Sequence, residues 1–210
     1  MLTSGSALLR RIIPEPVKKP LRLVRFALTP TSSSAPSLPQ ESLDGCKFLS
    51  NRDYMLNFLP KNSVVCEVGT LYGDFSKKII ETCAPRELHL LDIDFTPLRD
   101  DVRTHTAVKL HKGSSAQILS SFADNYFDWI YIDGDHTHKG VKADIAAAIP
   151  KLKPGGYLVF NDFARITQKK LGTFGVHQAV CEFVQEYKWK LAYFCFEVEA
   201  LYDVALQKPR

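Results

Sequence analysis

One stretch of the sequence decides the fold: SVVCEVGTLYG, at residues 63–73. A short apolar run rich in β-branched residues stops at Gly69, and a helical pattern with one apolar face begins near Gly73. Such a run is typical of a buried parallel strand that leads directly into a helix. Because glycine adopts backbone conformations that other residues avoid, Gly69 permits a tight turn and Gly73 lets the backbone approach a ligand at the helix start.

The same alternation of strand and helix continues along the chain. Four further strand patterns follow, at residues 88–91, 106–110, 127–132 and 156–160. Helical patterns separate them, and one of these opens at Thr96-Pro97, with Thr96 as the cap and Pro97 at the first helical position. After a last helix, two more strand patterns joined by a short turn predict a hairpin. We therefore expect an α/β, Rossmann-like, doubly wound sheet of seven strands, mostly parallel, with a C-terminal antiparallel hairpin.

Composition divides the chain near residue 40. Residues 1–40 hold six of the twelve prolines, together with six basic residues and one acid. The formal net charge is +4, of which this leader contributes +5, so the body carries −1. We expect residues 1–40 to form a basic, Pro/Ser-rich flexible leader and residues 41–210 to form one domain. The first part of that domain, from Glu41 to near Pro60, has a helical pattern.

The leader and the body exclude some functions and leave others open. A nearly neutral body does not suit a nucleic-acid binder, which usually needs a basic face. Charged residues interrupt every long apolar window, so we expect no transmembrane segment. The leader admits three interpretations: a disordered tail, an organellar transit peptide, or a short helix in weak contact with an anionic membrane surface.

The five cysteines contain no CxxC pair, which argues against a zinc ribbon and against a dense disulfide scaffold. Cys66 lies in an apolar run and Cys195 among aromatic residues, so both are predicted to be buried thiols in a reducing compartment. This favours a cytoplasmic protein, with organellar targeting by the leader left open.

In a doubly wound sheet, ligands bind beyond the carboxyl ends of the strands. Glu67, Gly69 and Gly73 follow the first strand, and Asp92 follows the second. A carboxylate at the Asp92 position accepts hydrogen bonds from ribose hydroxyls, although Asp94 could take its place. Residues 70–72 fill the space where a pyrophosphate-binding turn has its second glycine, and the chain has no GxxxxGK[ST] loop. A phosphate-free adenosine ligand remains, and S-adenosylmethionine fits it.

Five segments of this sequence resemble class I S-adenosylmethionine-dependent methyltransferases. They are residues 67–73, 91–94, 127–136, 152–156 and 161–162. The order and spacing of these segments are similar to those of the small-molecule O-methyltransferase-like branch, methyltransferase domain family 24, over residues 64–162. The C-terminal hairpin extends the likeness to about residue 208.

The resemblance implies a cofactor site. Glu67 and Gly69, with Thr70 and Gly73 of the same loop, would lie by the methionine part of S-adenosylmethionine, and Asp92 by its ribose. Family members often carry an acid after Gly113 that contacts the adenine amino group. This chain has Ser114 at that position, so the contact falls to Ser114, to Ser115 or to a backbone group. Asp133 is also expected at the cofactor.

Oxygen side chains end the fourth and fifth strands. Asp133, Asn161 and Asp162 are predicted to lie on the same side of the sheet, and such hard ligands suit Mg²⁺. In related O-methyltransferases an Asp after strand four and an acidic or Asp-Asn pair after strand five hold the metal, but here the pair is reversed, Asn161-Asp162. Alternatively, these carboxylates order loops, hold the cofactor amine or bind substrate.

His136 and Asp133 are the candidate catalytic residues. A neutral imidazole in the loop after strand four is suited to remove a proton from a hydroxyl acceptor. Alternatively, His136 caps the helix that starts near Lys139, and His138 could be confused with it. Asp144, on that helix, is expected to be a surface or loop-anchoring carboxylate.

The sequence predicts a methyltransferase that acts on a small-molecule acceptor. Residues 133–136 read Asp-Gly-Asp-His rather than the Asn/Asp-Pro-Pro-aromatic run common in amine methylation, which favours a hydroxylated metabolite or sugar. The basic loop from Ala164 to Phe174 either closes over the substrate and favours an anionic one, or is simply a solvated basic loop. A nucleotide-cofactor oxidoreductase and a catalytically inactive relative remain alternatives, and a homodimer is left open.

Overall fold

The computed structural model describes residues 36–164, 166–167, 172–197 and 201–210. The strands in this part are β1 (Lys47–Leu49), β2 (Val64–Val68), β3 (Glu87–Asp92), β4 (Val108–Lys112), β5 (Phe127–Ile132), β6 (Leu152–Phe160), β7 (Ile166–Thr167), β8 (Gly172–Thr173), β9 (Lys190–Phe196) and β10 (Tyr202–Gln207). The α-helices are α1 (Arg52–Met55), α2 (Asp74–Cys83), α3 (Asp100–Arg103), α4 (Ser115–Ser121), α5 (His138–Ala148) and α6 (Val176–Tyr187). Two 3-10 helices, Gln40–Leu43 and Ile149–Lys151, complete the list.

Eight of the strands form one sheet in the order β1-β9-β10-β6-β5-β2-β3-β4. The five strands from β6 to β4 are parallel to one another. Strand β10 runs antiparallel to both β6 and β9, so the C-terminal hairpin lies beside the parallel sheet. The predicted fold class is confirmed, with all seven expected strands present and β1 added as an eighth at the edge.

Helices cover both faces of the sheet, which explains why the parallel strands are almost continuously apolar. On one face, α4, α5 and α6 pack against side chains such as Cys66 and Ile130. On the other face, α1, α2 and α3 pack against side chains such as Val65 and Trp129. The predicted burial of Cys66 and Cys195 is confirmed, and all five cysteines are free thiols.

The helical pattern predicted between Glu41 and Pro60 is wrong. That segment contains a 3-10 helix, the short strand β1 and the single turn α1. Gly45 interrupts it with a φ of 82°, and Asn51 starts α1 by accepting a hydrogen bond from the Tyr54 backbone N–H at 2.7 Å. Leu49, Met55 and neighbouring side chains pack on the core although the backbone that carries them is not a continuous helix. Their spacing in the sequence therefore resembles that of a helix.

The helix predicted to open at Thr96-Pro97 is also displaced. Helix α3 begins only at Asp100, after Arg99 as its cap residue. The carboxylate of Asp94 accepts hydrogen bonds from the backbone N–H of Thr96 at 3.0 Å and from its hydroxyl at 2.7 Å. Thr96 is therefore held in a turn that precedes the helix.

The strand order reverses between β2 and β5. From β2 the chain passes outward to β3 and β4, and it then returns to build β5 and β6 on the other side. The ends of β2 and β5 remain paired, but the connections that leave them run to opposite sides, and such a switch point is where a doubly wound sheet has its cleft.

Residues 1–35 lie outside the described residues, so the three interpretations of the leader stay predictions. Within the described part, no helix has the length and hydropathy needed to cross a membrane.

Candidate active site

A cleft of about 770 Å³ lies at the carboxyl ends of β2 to β5. Its walls come from the loop after each of these strands and from one side of α5. The predicted cofactor residues that line it are Glu67, Gly69, Thr70, Asp92, Ser114, Ser115 and Asp133. The structure thus brings together residues that are far apart in the sequence.

Two glycines shape the loop after β2, but Gly73, which was also predicted to lie at the cofactor, does not line the cleft. Gly69 has a φ of +81°, and a Cβ atom there would lie 2.1 Å from the carbonyl oxygen of Asp133. Gly73 has a φ of +80°, and a Cβ atom there would lie 2.6 Å from Leu98 Cδ1. Any other residue at Gly69 would push the turn after β2 away from the end of β5, so this position requires glycine.

Asp92 ties down the loop that follows β2. Its Oδ2 accepts hydrogen bonds from the backbone N–H groups of Thr70 at 2.8 Å and Leu71 at 3.2 Å. Asp94 bonds to Thr96 instead and does not line the cleft. Of the two carboxylates considered from the sequence, the structure places Asp92 on the cleft wall.

Glu67 is a buried carboxyl group in the cleft floor. Its side chain is only 2% exposed, and Oε2 accepts a hydrogen bond from the Ser76 hydroxyl at 2.5 Å. Burial raises the pKa of Glu67 to about 8, and the Ser76 hydrogen bond and the nearby Arg52 charge oppose this rise. A cationic group of a ligand would stabilise the ionised form of this carboxyl.

His136 lies among three oxygen atoms at the open end of the cleft. Its Nε2 is 3.4 Å from Asp133 Oδ1, 3.5 Å from Asp162 Oδ2 and 3.4 Å from Asn161 Oδ1. The imidazole ring also packs on Phe174, with ring centroids 5.0 Å apart. His136 is therefore placed to share a proton with the two carboxyl groups.

A buried network supports this cluster from below. The Tyr131 hydroxyl donates to Asp203 Oδ2 at 2.6 Å and accepts from the Arg52 guanidinium at 2.9 Å. The Asn161 amide N–H donates to Tyr131 at 3.2 Å and to Asp203 at 3.1 Å. This fixes the amide orientation, so that Asn161 Oδ1 faces His136.

Comparison with known proteins identifies the domain. Residues 66–163 match the family described as "Methyltransferase domain". This part of the chain is a methyltransferase domain. The search of curated proteins found no match.

Solved structures share the fold. The chain is similar to the N-methyltransferase NodS from Bradyrhizobium japonicum WM9 in complex with S-adenosyl-L-homocysteine, with 17% identity and a TM-score of 0.58 over 76% of this chain and 86% of that one. It is similar to the MycE methyltransferase of the mycinamycin biosynthetic pathway in complex with Mg, S-adenosylhomocysteine and mycinamycin VI, with 18% identity and a TM-score of 0.54 over 75% of this chain and 48% of that one. It is also similar to an O-methyltransferase family protein from Burkholderia thailandensis, with 11% identity and a TM-score of 0.55 over 75% of this chain and 55% of that one. The prediction of a methyltransferase domain is confirmed by the family match, and the predicted class I fold by these structures.

At the far end of the methyltransferase cleft, an apolar side chain is exposed beside two serines. Ile93 is 76% exposed and follows Asp92 directly. Across from it, the Ser115 hydroxyl donates to Asp144 Oδ1 at 2.6 Å. Of the two roles expected for Asp144, a surface or a loop-anchoring carboxylate, the surface position is wrong because its side chain is only 2% exposed, whereas its bond to Ser115 agrees with an anchoring role. No local pattern indicates this burial, because the apolar spacing of α5 allows Asp144 to lie on either face of the helix.

Two carboxyl groups beside this cluster, those of Asp133 and Asp203, have a raised pKa. Burial raises the pKa of Asp133 well above its usual range, and Asp203, Asp162 and Glu67 add to the rise, while Arg52 opposes it. Burial also raises the pKa of Asp203 to about 7. At neutral pH this end of the cleft therefore contains groups that can take up or release a proton.

The metal site predicted at Asp133, Asn161 and Asp162 has suitable oxygen donors, because carboxylate and amide oxygens suit Mg²⁺. However, the point on which they converge is occupied by His136 Nε2. Among the described residues, no group of three or more His, Cys, Asp or Glu side chains is placed to hold a metal ion. A cation and the imidazole of His136 would compete for the same position.

Neighbouring polar residues have structural roles. The Asp135 carboxylate accepts from the Thr137 backbone N–H at 2.9 Å and from its hydroxyl at 3.0 Å, at the start of α5. Thr137, rather than His136, caps α5 by accepting from the Gly140 N–H at 3.1 Å. His138 pairs with Glu182 at 2.9 Å, away from the cleft.

Three residues of the site were not predicted from the sequence: Arg52, Tyr131 and Asp203. Arg52 lies in the segment between Glu41 and Pro60, for which a helix was wrongly predicted. Tyr131 is one of several large side chains in a buried strand, so its sequence context does not distinguish it. Asp203 gives a signal, since it is a single acid inside an otherwise apolar strand. Of the predicted lid over Ala164 to Phe174, residues 165 and 168–171 lie outside the described residues, and the described part contains the β7–β8 backbone pairing.

Proposed function

We propose that this methyltransferase transfers a methyl group from S-adenosylmethionine to a hydroxyl group of a small metabolite, such as a sugar or a natural-product intermediate. The observation that carries this proposal is the position of His136 between Asp133 and Asp162 at the open end of the cleft. An oxygen nucleophile must lose its proton, and this cluster provides a place for that proton.

The cleft residues fit the cofactor. The hydroxyl of Thr70 is buried in the loop after β2 and has no hydrogen-bond partner among the described residues. The Gly69 turn leaves a cradle that a Cβ atom would fill. Bound in this cleft, S-adenosylmethionine would supply an electrophilic methyl group carried on a positively charged sulfur.

Charge and polarity favour one direction for the cofactor. Glu67 and Asp133 make one end acidic, and this end suits the ammonium and sulfonium groups. Asp92 lies at the middle of the cleft, within reach of ribose hydroxyls. The exposed side chain of Ile93 offers an apolar surface for a flat ring at the other end, near Ser115.

The proton of the acceptor hydroxyl would pass to His136 Nε2, and the Asp133 side chain beside it would orient the imidazole. Their contact of 3.4 Å is longer than a good hydrogen bond, which leaves room for a substrate oxygen to enter and shorten the contacts. Arg52 stacks over the Phe75 ring at 4.8 Å and bonds to Tyr131, so it holds the cleft wall beside this pair. Fixed alignment of acceptor and methyl group lowers the barrier further.

A divalent cation is a second candidate for activating the acceptor. The convergence of Asp133, Asn161 and Asp162 oxygens favours it, and Mg²⁺ there would lower the pKa of a bound hydroxyl. The His136 side chain would have to leave its present position for this to happen. Chelation separates the two: full turnover in EDTA supports the imidazole, whereas loss of turnover restored by Mg²⁺ supports the metal.

The experiment that tests the proposal measures methyl transfer to a panel of sugars and phenolic or aliphatic alcohols. Replacement of the proposed base, His136→Ala, is expected to lower kcat by about 10²–10⁴-fold with little change in S-adenosylhomocysteine affinity. The matched control is His138→Ala, because that histidine pairs with Glu182 away from the cleft. Acceptance of amines alone would contradict hydroxyl methylation, whereas unchanged turnover in His136→Ala would contradict the role of His136 as the base.

Thermal melts and the acceptor panel also test two rival functions. A nucleotide-cofactor oxidoreductase would be stabilised in thermal melts by NADH rather than by S-adenosylmethionine. A catalytically inactive relative would bind S-adenosylmethionine but transfer no methyl group to any acceptor in the panel. Residues 70–72 lack the second glycine of a pyrophosphate turn, which favours the methyltransferase.

A further inference from the structure

The oxygen atoms around His136 Nε2 orient its imidazole only weakly. The contacts with Asp133 and Asn161 are 3.4 Å long, and the contact with Asp162 is 3.5 Å long. A good hydrogen bond between a nitrogen and an oxygen atom is about 2.7–3.2 Å long. The orientation of the ring therefore depends on a further contact.

Phe174 provides that contact. Its ring centroid lies 5.0 Å from that of His136, with the two ring planes inclined by 33°. Phe174 is partly buried and packs on the core between the sheet and helices α4 to α6, so its own position is fixed by packing. His136 lines the cleft, whereas Phe174 does not. The phenylalanine ring thus supports the imidazole from outside the cleft.

The backbone next to Phe174 is attached to the same loop. The Gly175 N–H donates to the His136 carbonyl at 2.7 Å. A Cβ atom at Gly175 would lie 1.9 Å from the His138 backbone nitrogen, so a glycine is required for this approach. Glu182 of α6 pairs with His138 and with Lys142 of α5, both at 2.9 Å. These contacts hold the start of α6 against the loop that carries His136.

We propose that Phe174 is a positioning residue that holds the His136 imidazole in the orientation required for proton transfer. This inference rests on the proposed function, in which His136 takes the proton of the acceptor hydroxyl. Without the phenylalanine ring, the imidazole is free to adopt other rotamers, although the Gly175 hydrogen bond keeps its backbone in place. Proton transfer requires the base within hydrogen-bond reach of the hydroxyl, so a small displacement slows the reaction strongly.

The first measurement is a nuclear magnetic resonance spectrum of the histidine ring protons, which requires no acceptor. The His136 signals are identified by their loss in His136→Ala. An aromatic ring shifts the signals of protons above its face upfield, so Phe174→Leu is expected to move the His136 signals downfield, and Phe174→Tyr to leave them nearly in place. Leucine retains apolar packing on the core, so this variant is expected to fold. Unchanged His136 signals in Phe174→Leu would overturn the inference.

The second measurement is methyl transfer from S-adenosylmethionine to the panel of sugars and alcohols. Phe174→Leu is expected to lower kcat about 10- to 100-fold, without a change in KM for S-adenosylmethionine. Phe174→Tyr, which keeps the ring, should retain most of the activity. In the His136→Ala protein, Phe174→Leu should cause no further loss, because the group that it positions is absent.

The matched control is Phe48→Leu. Phe48 is an exposed aromatic residue of β1 that packs on Phe194, with ring centroids 5.7 Å apart, outside the cleft. This variant should keep the wild-type kcat. A merely structural role for Phe174 would lower kcat equally in the wild-type and His136→Ala backgrounds, and that result, or an unchanged kcat in Phe174→Leu, would overturn the inference. Unchanged turnover in His136→Ala alone would refute the proposed base itself, which is a distinct outcome.

Discussion

At the scale of single residues, the cleft is built from groups that are costly to the fold. Glu67 is a buried carboxyl group in the cleft floor. Its pKa of about 8 shows that ionising it there is unfavourable. Gly69 holds a left-handed conformation against the end of β5. Both features weaken the empty protein and become useful when a cationic ligand and its backbone contacts fill the cleft.

Glu67→Gln is expected to stabilise the empty protein at alkaline pH. The folded pKa of about 8 lies above the usual 4.5, so the stability due to the protonated carboxyl is fully present below about pH 4.5 and is lost as the pH rises to about 8. Glutamine removes this loss, and the gain above pH 8 is expected to be up to a few kcal/mol, measured by urea unfolding across the pH range.

The control for this experiment is Glu87→Gln, because the pKa of Glu87 is shifted in the opposite direction. Hydrogen bonds from Lys109 and Tyr126 lower the pKa of Glu87 to about 2, so its ionised form stabilises the fold and that stability is lost only as the pH falls from about 4.5 to about 2. Glu87→Gln should therefore lower stability at neutral and alkaline pH. A Glu67→Gln protein that is less stable than wild type at high pH would contradict the account of the cleft floor.

Gly69→Ala is expected to weaken cofactor binding strongly, although it adds only one methyl group. The added Cβ would lie 2.1 Å from the Asp133 carbonyl, so the turn after β2 must move. We expect a loss of about 2 kcal/mol or more in unfolding free energy, and at least about tenfold weaker S-adenosylhomocysteine binding. Gly45→Ala is the control, since it shares a positive φ but meets nothing within 4 Å. Equal behaviour of the two variants would show that backbone strain, rather than the close approach, is responsible.

At the scale of secondary-structure elements, α5 carries the loop that positions the catalytic candidates. Its first turn is fixed by Thr137, whose hydroxyl accepts from Gly140 N–H and donates to Asp135. Asp133 and His136 lie immediately before this cap. The start of one helix therefore controls the position of the proton-handling side chains.

Thr137→Ala should destabilise the protein by about 1 kcal/mol, because it removes the cap of α5. Thr137→Ser keeps the hydroxyl and should retain most of the stability. The same pair of variants is expected to separate in kcat, since the loop of residues 133–136 loosens only in the alanine protein. Urea unfolding and methyl-transfer assays check both points, and alanine and serine variants with equal stability would contradict the role of the cap.

Elements with a strong local period could be predicted from the sequence. The bounds of β5 and α6 agree with their apolar patterns because each is amphipathic or fully buried over its whole length. The segment before β2 could not be predicted, because β1 is a strand only through its pairing with β9, about 145 residues away in the sequence. Local spacing of apolar residues contains no information on such a partner.

At the scale of the whole molecule, the strand order assembles the site. The cleft-lining residues after β2, β3 and β5 could be predicted because ligands of a doubly wound sheet meet the carboxyl ends of its strands. The buried network of Arg52, Tyr131 and Asp203 could not, since it depends on β10 lying next to β6 and on the loop after β1 reaching the cleft. Long-range packing, rather than any local pattern, joins these residues.

Calorimetric titration of the full chain with S-adenosylhomocysteine, beside an Asp92→Ala variant, tests the central claim most directly. The account predicts binding of one ligand per chain to the wild-type protein, and at least about tenfold weaker binding in the variant, because Asp92 both faces the ribose position and holds the loop at Thr70 and Leu71. Absence of binding to the wild-type protein, or equal binding to both proteins, would contradict it.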